Sequence, residues 1–110
     1  MTHDDANRAL EWLLQNAEPA AEARAERLQL EDFSKALLAS LEIQTQQEQP
    51  KLAANALQRL ALAHADYSAH LLGLKEARRK DERMRWLRDT AHAKIEVFRT
   101  LESTKRALKL

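Results

Sequence analysis

The chain has 110 residues, with 18 Lys or Arg against 17 Asp or Glu, one Gly, two Pro and no Cys. Without Cys, a disulfide framework and a thiolate metal site are excluded, and the composition fits a reducing cytoplasm. Helix formers dominate and turn formers are scarce, which predicts an all-α protein. No window approaches eighteen apolar residues and the start MTHDDANRAL is not leader-like, so we expect a cytoplasmic protein with no membrane association.

A first helical arm is predicted over about residues 5–44. Asp4 or Asp5 can cap its start, because a carboxylate there accepts the free amides of the first turn. Pro19 predicts a kink or break, since its ring clashes with the carbonyl four residues back. Helical spacing of apolar residues gives this arm a predicted buried stripe. Its members are Ala6, Leu10, Leu13, Ala17, Ala23, Leu30, Phe33, Leu37 and Leu41.

The segment QTQQEQPK, residues 44–51, has no apolar residue and is the predicted loop. A second arm follows over about 52–108, with a weak boundary at 63–66 where Asp66 is a possible cap. From Asp66 to Leu108 the sequence predicts one continuous helix roughly 60 Å long at 1.5 Å per residue. The predicted stripe of this helix is Tyr67, Leu71, Leu74, Ala77, Met84, Leu87, Ala91, Ile95, Phe98, Leu101 and Leu108.

The two arms differ in charge, with a net −5 over residues 1–74 and +6 over 75–110. Antiparallel arms would bring Lys35 near Leu60 and Asp5 near Thr90, with acidic and basic segments side by side. The predicted fold is therefore all-α: an elongated antiparallel helical hairpin or coiled coil, forming a single helical domain over 1–110. Because several apolar residues lie off the seam, we expect oligomerisation, with a dimer favoured, to complete a helical bundle.

The basic stretch 75–88 is the candidate contact for nucleic acid or an acidic partner, through Lys75, Arg78, Arg79, Arg83, Arg85 and Arg88. A helix of that charge density can follow phosphates. The favoured alternative is that these cations pair with the acidic first arm and solvate a helix surface.

Large apolar residues off the seam, or aromatic ones, are candidate interface residues: Trp12, Leu38, Leu72, Trp86 and Val97. For the two tryptophans, packing inside the protein is the favoured alternative, and a cluster shared by both is expected.

No motif in the chain predicts catalysis, a metal site or a cofactor. His3, His64, His70 and His92 are never three or four residues apart, so no helical metal-binding pair exists. His64 and Tyr67 are expected to be partly buried packing residues. Neighbouring carboxylates such as Asp81 and Glu82 point about 100° apart on a helix and make no acid–base pair. The sequence therefore favours a protein that is not an enzyme.

Five short pieces of the sequence with helical patterning carry a resemblance to a known family. They are RALEWL, AEARAERL, HLLGLKEA, RWLR and AKIEVFR. With these the chain resembles a family of small uncharacterised helical proteins encoded by temperate tailed phages and prophages of proteobacteria. The resemblance implies a role in phage DNA metabolism or host takeover, and it assigns no functional residue.

The function predicted from the sequence is that of a non-enzymatic, self-associating helical interaction factor with a host or phage protein as partner. The alternative is a nucleic-acid-binding accessory protein that uses the basic stretch 75–88.

Overall fold

The computed structural model describes residues 1–109, which form three helices and no strand. Helix α1 is His3–Glu48, α2 is Ala54–Leu62 and α3 is Ala65–Leu108. The all-α prediction is confirmed. The continuous helix predicted from Asp66 to Leu108 is confirmed as α3, whose start differs by one residue.

The described residues form two compact units. Unit 1 contains residues 1–23 and the described residues of 81–110, and unit 2 contains residues 24–80. Segments of α1 and α3 contribute to both. Whether the two units act as the single domain predicted over 1–110 stays a prediction.

Within each unit the segments of α1 and α3 run antiparallel. In unit 2, Glu31 bonds Arg78 while Ser34 lies against His70, so numbering rises along α1 as it falls along α3. In unit 1, the ring of His3 contacts Phe98 edge-on, with 4.7 Å between ring centroids, and Trp12 shares a cavity with Leu87.

The start of α1 is capped by Thr2. Its hydroxyl accepts a hydrogen bond from the Asp5 amide at 3.2 Å, and the Asp5 carboxylate accepts one from the Thr2 amide at 3.0 Å. This reciprocal pair is a capping box with Asp in the usual Glu position. The prediction that Asp4 or Asp5 is the cap residue is wrong, because both lie inside the first turn.

Helix α1 passes through Pro19 without a break. Proline in a helix interior removes one hydrogen bond and costs about 3 kcal/mol. The Pro19 side chain is exposed, so its ring takes no space from the buried side of the helix. Buried Ala23 and half-buried Ala20 follow immediately and hold the next turn in place, which explains why the predicted break does not occur.

The predicted loop at 44–51 is also displaced. Helix α1 continues to Glu48, and the segment that connects it to α2 is 49–53. Thr45 is buried and its hydroxyl donates to the Leu41 carbonyl at 2.9 Å, so this polar residue packs against the neighbouring turn. The Gln and Glu residues around it are good helix formers, and polarity alone did not end the helix.

The predicted second arm, 52–108, is two helices. Helix α2 ends at Leu62, and its C-cap Ala63 donates its amide back to Arg59. His64 then starts α3: its Nδ1 accepts a hydrogen bond from the Asp66 amide at 3.0 Å. An imidazole therefore fills the capping position that Asp66 was predicted to hold, and half-buried His64 agrees with the prediction of partial burial.

The cores of the two units differ in residue size. The buried apolar residues of unit 1 are Ala6, Ala9, Ala23 and Ala91, whereas those of unit 2 are Leu41, Ala61, Leu74 and Ala77. The buried and half-buried positions on α1 include a stripe with alternating steps of three and four, at 6, 9, 13, 16, 20, 23, 27, 30, 34, 37 and 41; the others are 5, 12, 31, 38, 42 and 45. Each unit is thus built on a narrow seam between helices.

The predicted pairing register is right in one unit and wrong in the other. In unit 1, Asp5 and Thr90 line one cavity, as the antiparallel prediction requires. In unit 2, Ser34 lies against His70, so the part of α3 opposite Lys35 is well beyond Leu60. The cause is the longer α1 and the intervening α2, which delay the start of α3 to Ala65.

Candidate interaction surfaces

The six candidate contact residues of the stretch 75–88 all lie on α3, three in each unit. Lys75, Arg78 and Arg79 belong to unit 2, and Arg83, Arg85 and Arg88 to unit 1. All are exposed except half-buried Arg85.

Arg78 forms an ion pair across the helices of unit 2. Its Nε donates to Glu31 Oε1 at 3.1 Å, and Glu31 also accepts from Arg27 Nη1, one turn earlier on α1, at 3.1 Å. The bond from Arg78 and then that from Arg27 hold the pKa of the Glu31 carboxyl below its ordinary value of 4.5. Glu31 therefore stays ionised and ties the basic α3 to the acidic α1.

Three more of the six cations pair along their own helix. Arg79 lies 3.7 Å from Glu76, Arg85 lies 3.6 Å from Asp81 and 4.0 Å from Glu82, and Arg88 lies 3.6 Å from Asp89.

Lys75 and Arg83 have no ion-pair partner among residues 1–109. Most of the stretch is thus already neutralised by neighbouring carboxylates, in line with the reading that its charges serve the protein's own helices.

The candidate interface residues divide by exposure. Trp12 and Leu38 are half-buried, whereas Leu72, Trp86 and Val97 are exposed, with Leu72 at 66% and Trp86 at 67%. The expected cluster of the two tryptophans does not form in the described part of the chain: their rings make no contact there, and Trp86 is 67% exposed. Trp86 is therefore a surface residue of unit 1 rather than a packing residue.

A cavity of about 420 Å³ lies in unit 1 between the first turns of α1 and the middle of α3. The small side chains of Ala9 and Ala91 leave space between the helices, and Trp12 and Leu87 form the apolar wall of the cavity. The full lining is Met1, Asp5, Arg8, Ala9, Trp12, Leu87, Thr90, Ala91 and Lys94. Its size falls within the range of about 300–1,000 Å³ usual for small-molecule sites.

The Asp5 carboxylate on the rim of this cavity is fixed by the helix cap. The hydrogen bond from the Thr2 backbone amide, and then that from its hydroxyl, lower the pKa of Asp5 below its ordinary value of 3.8; nearby Arg8 contributes in the same direction. Asp5 is therefore an ionised carboxylate whose oxygen Oδ2 is held by the Thr2 cap.

Unit 2 contains a polar and aromatic cluster around His70. Its Nε2 lies 2.6 Å from Ser34 Oγ, and its ring meets Phe33 edge-on and Tyr67 at a tilt, with 5.6 and 6.2 Å between centroids. The Ser34 hydroxyl also donates to the Leu30 carbonyl at 3.1 Å, so the imidazole Nε2–H then donates to Oγ. In that arrangement His70 is not a base toward Ser34, and the pair serves to fix the helix register.

Sequence reasoning missed both the cavity and the His70 cluster. The apolar stripe placed Leu71 on the seam, whereas His70 occupies it and Leu71 is exposed. The signal that could have found the cluster is the spacing of positions 67, 70, 74 and 77 on α3 by three or four residues, because position 70 of this series is a histidine. The cavity had no such signal, because it depends on which helix flanks meet.

No protein-family model, curated protein or solved structure gives a significant match to this chain. Within residues 1–109, no helix is long and apolar enough to cross a membrane. The described residues also contain no group of three or more potential metal ligands.

Proposed function

We propose that this protein is a non-enzymatic helical interaction factor that associates with a second copy of itself. The observation that carries the proposal is the distribution of apolar residues. Among residues 1–109, six of the eight buried apolar residues are alanines, while large ones such as Leu14 (74%), Leu72 and Trp86 are mostly exposed. Single exposed leucines are ordinary, but a chain that buries alanine and exposes leucine and tryptophan is suited to a partner surface.

The charges of the helices support a second copy as that partner. Helix α1 carries ten carboxylates and four Lys or Arg, a net −6, and α3 carries eleven Lys or Arg and seven carboxylates, a net +4. A two-fold interface uses the same patch on both copies, so each acidic α1 can face the partner's basic α3. Alternating steps of three and four are also the pattern of coiled-coil seams, which pairing into a bundle extends.

Sedimentation velocity over a range of protein concentrations tests the proposal. We expect a dimer at micromolar concentration that dissociates on Trp86→Glu or Leu72→Glu, because each places a charge on an exposed apolar position. Ser103→Glu, on an exposed polar position of the same helix, is the matched control and leaves the dimer intact. A wild-type monomer at every concentration would remove the proposal.

The alternative of nucleic-acid binding gains little support from the basic stretch, since four of its seven cations already have carboxylate partners. Gel shifts with single- and double-stranded DNA at low and moderate salt separate the two functions. Salt-dependent binding that weakens on Lys75→Gln with Arg83→Gln would favour the alternative. A role in phage DNA metabolism or host takeover, with a phage or host protein as partner, stays a prediction from the sequence resemblance.

A further inference from the structure

The cavity of unit 1 carries an excess of positive charge. Arg8 on α1 and Lys94 on α3 line it from opposite helices. Neither has an ion-pair partner within 4.0 Å among residues 1–109. Asp5 is the one carboxylate of the lining, and its oxygen Oδ2 already accepts two hydrogen bonds from Thr2. Two side-chain cations and one carboxylate therefore line the cavity, so the summed charge of these side chains is positive.

The rest of the lining is suited to an apolar group. Trp12 offers an indole, Leu87 a branched aliphatic side chain, and Ala9 and Ala91 leave room between the helices. Small-molecule sites combine such apolar walls with a few polar groups that fix orientation. A ligand that fills this space needs a hydrophobic body and a negative end.

We propose that this cavity binds a small amphipathic anion, a carboxylate carried on an aromatic or aliphatic body. The carboxylate lies between the Arg8 guanidinium and the Lys94 ammonium, and the apolar body packs against Trp12 and Leu87. The site is independent of self-association, because every residue of its lining belongs to unit 1 of one copy.

The experiment uses 1-naphthoate as the probe and its neutral amide, 1-naphthamide, as the comparison. Both have the same ring system, so a difference in affinity reports the charge. The indole N–H signal of Trp12 in ¹H–¹⁵N NMR spectra reports occupancy, and it is distinguished from that of Trp86 with the Trp86→Phe variant. We expect a saturable shift of the Trp12 signal with naphthoate, and a dissociation constant at least about fivefold higher for the amide.

Charge variants test the assignment of the anion-binding residues. Arg8→Gln with Lys94→Gln should raise the dissociation constant for naphthoate by about 3- to 30-fold, as expected for two partly exposed charge contacts. The matched control is Lys35→Gln with Lys80→Gln, which removes the same charge from two exposed lysines of unit 2 that have no ion-pair partner among the described residues. The control should leave binding unchanged.

Three results would overturn the proposal. The first is a Trp12 signal that does not move at millimolar naphthoate, and the second is equal affinity for the amide. The third is an affinity that falls as protein concentration rises, since a second copy would then occupy the cavity. Sedimentation of the same samples reports the oligomeric state separately, so loss of ligand binding and loss of self-association are distinguishable.

Discussion

Units 1 and 2 use segments of the same two long helices and hold them together differently. Unit 2 buries two leucines and joins its helices through the bonds of Arg78 with Glu31 and Ser34 with His70. The buried apolar residues of unit 1 are alanines, and it leaves a cavity. The comparison indicates that unit 2 joins its helices through larger buried side chains and two polar contacts, whereas the alanine seam of unit 1 leaves space between its helices.

The largest expected effect is the loss of a buried leucine from unit 2. Leu74→Ala should lower the free energy of unfolding by about 2–5 kcal/mol, because it removes a side chain that is 4% exposed and leaves a cavity. Leu72→Ala, two residues away on the exposed side, should change it by no more than about 0.5 kcal/mol. Urea denaturation of both variants in dilute solution measures the difference, and similar losses would contradict the assigned core.

In unit 1 the largest expected change is an increase in the free energy of unfolding. Pro19→Ala restores a backbone donor inside α1 and should raise the free energy of unfolding by up to about 3 kcal/mol. Pro50→Ala in the connecting segment is the control, and it should be neutral or slightly destabilising because proline restricts the unfolded chain. If Pro19→Ala brought no gain in urea denaturation, the helix would not be continuous at that position.

The polar contact between Ser34 and His70 should make an intermediate contribution to the free energy of unfolding. A double-mutant cycle with Ser34→Ala and His70→Phe should give a coupling energy of about 0.5–1.5 kcal/mol, the usual net value of a hydrogen bond. Phe keeps a ring beside Phe33 and Tyr67 while removing the donor nitrogen. A cycle that pairs His70→Phe with Thr104→Ala, whose hydroxyl bonds only its own helix, should show no coupling.

A smaller gain in stability is expected from substitution of the one glycine of the chain, Gly73. Gly73 lies inside α3 without a positive φ, and a Cβ at this position would have no atom within 4 Å. Gly73→Ala should therefore stabilise unit 2 by about 0.5–1 kcal/mol. The reciprocal change at exposed Ala69, Ala69→Gly, should destabilise unit 2 by a similar amount. Thermal unfolding of both variants measures the two changes.

The smallest effect concerns the pH dependence of unit 2. The pKa of Glu31 is lower in the folded state than in the unfolded state. The contribution of Glu31 to stability is therefore present above its unfolded-state pKa and is lost as the pH falls through its folded-state pKa. Arg78→Gln should move the pKa of Glu31 upward toward its ordinary value, as read from its carboxyl signal in an NMR titration. Arg79→Gln, which removes a pair with Glu76 on the same helix, should leave it unmoved.

The sequence predicted the features that depend on propensity and periodicity. The long helix beginning near Asp66 followed from forty residues with one Gly and no Pro. The end of α1 and the capping residue of α3 were assigned wrongly, because Thr45 packs inside the last turns of α1 and His64 caps α3, and neither residue type signals those roles by itself. Polar residues at seam positions, such as Asp81 and His70, escaped an apolar pattern for the same reason.

The candidate sites divide in a similar way. Exposure of Leu72, Val97 and the basic residues followed from their positions relative to the apolar stripe. The cavity did not, because it requires Arg8 and Trp12 of α1 to meet Lys94 of α3, which lies about eighty residues later in the chain. Spacing within one helix cannot specify that meeting.

The alanine seam of unit 1 limits how that part of the molecule can change. At Ala6, Ala9, Ala23 and Ala91 any replacement other than glycine adds volume, so substitution acts in one direction only and pushes the helices apart. Sequence variants of this protein should thus diversify freely on the outer surface of α1 and α3 while these four positions alternate among the smallest side chains.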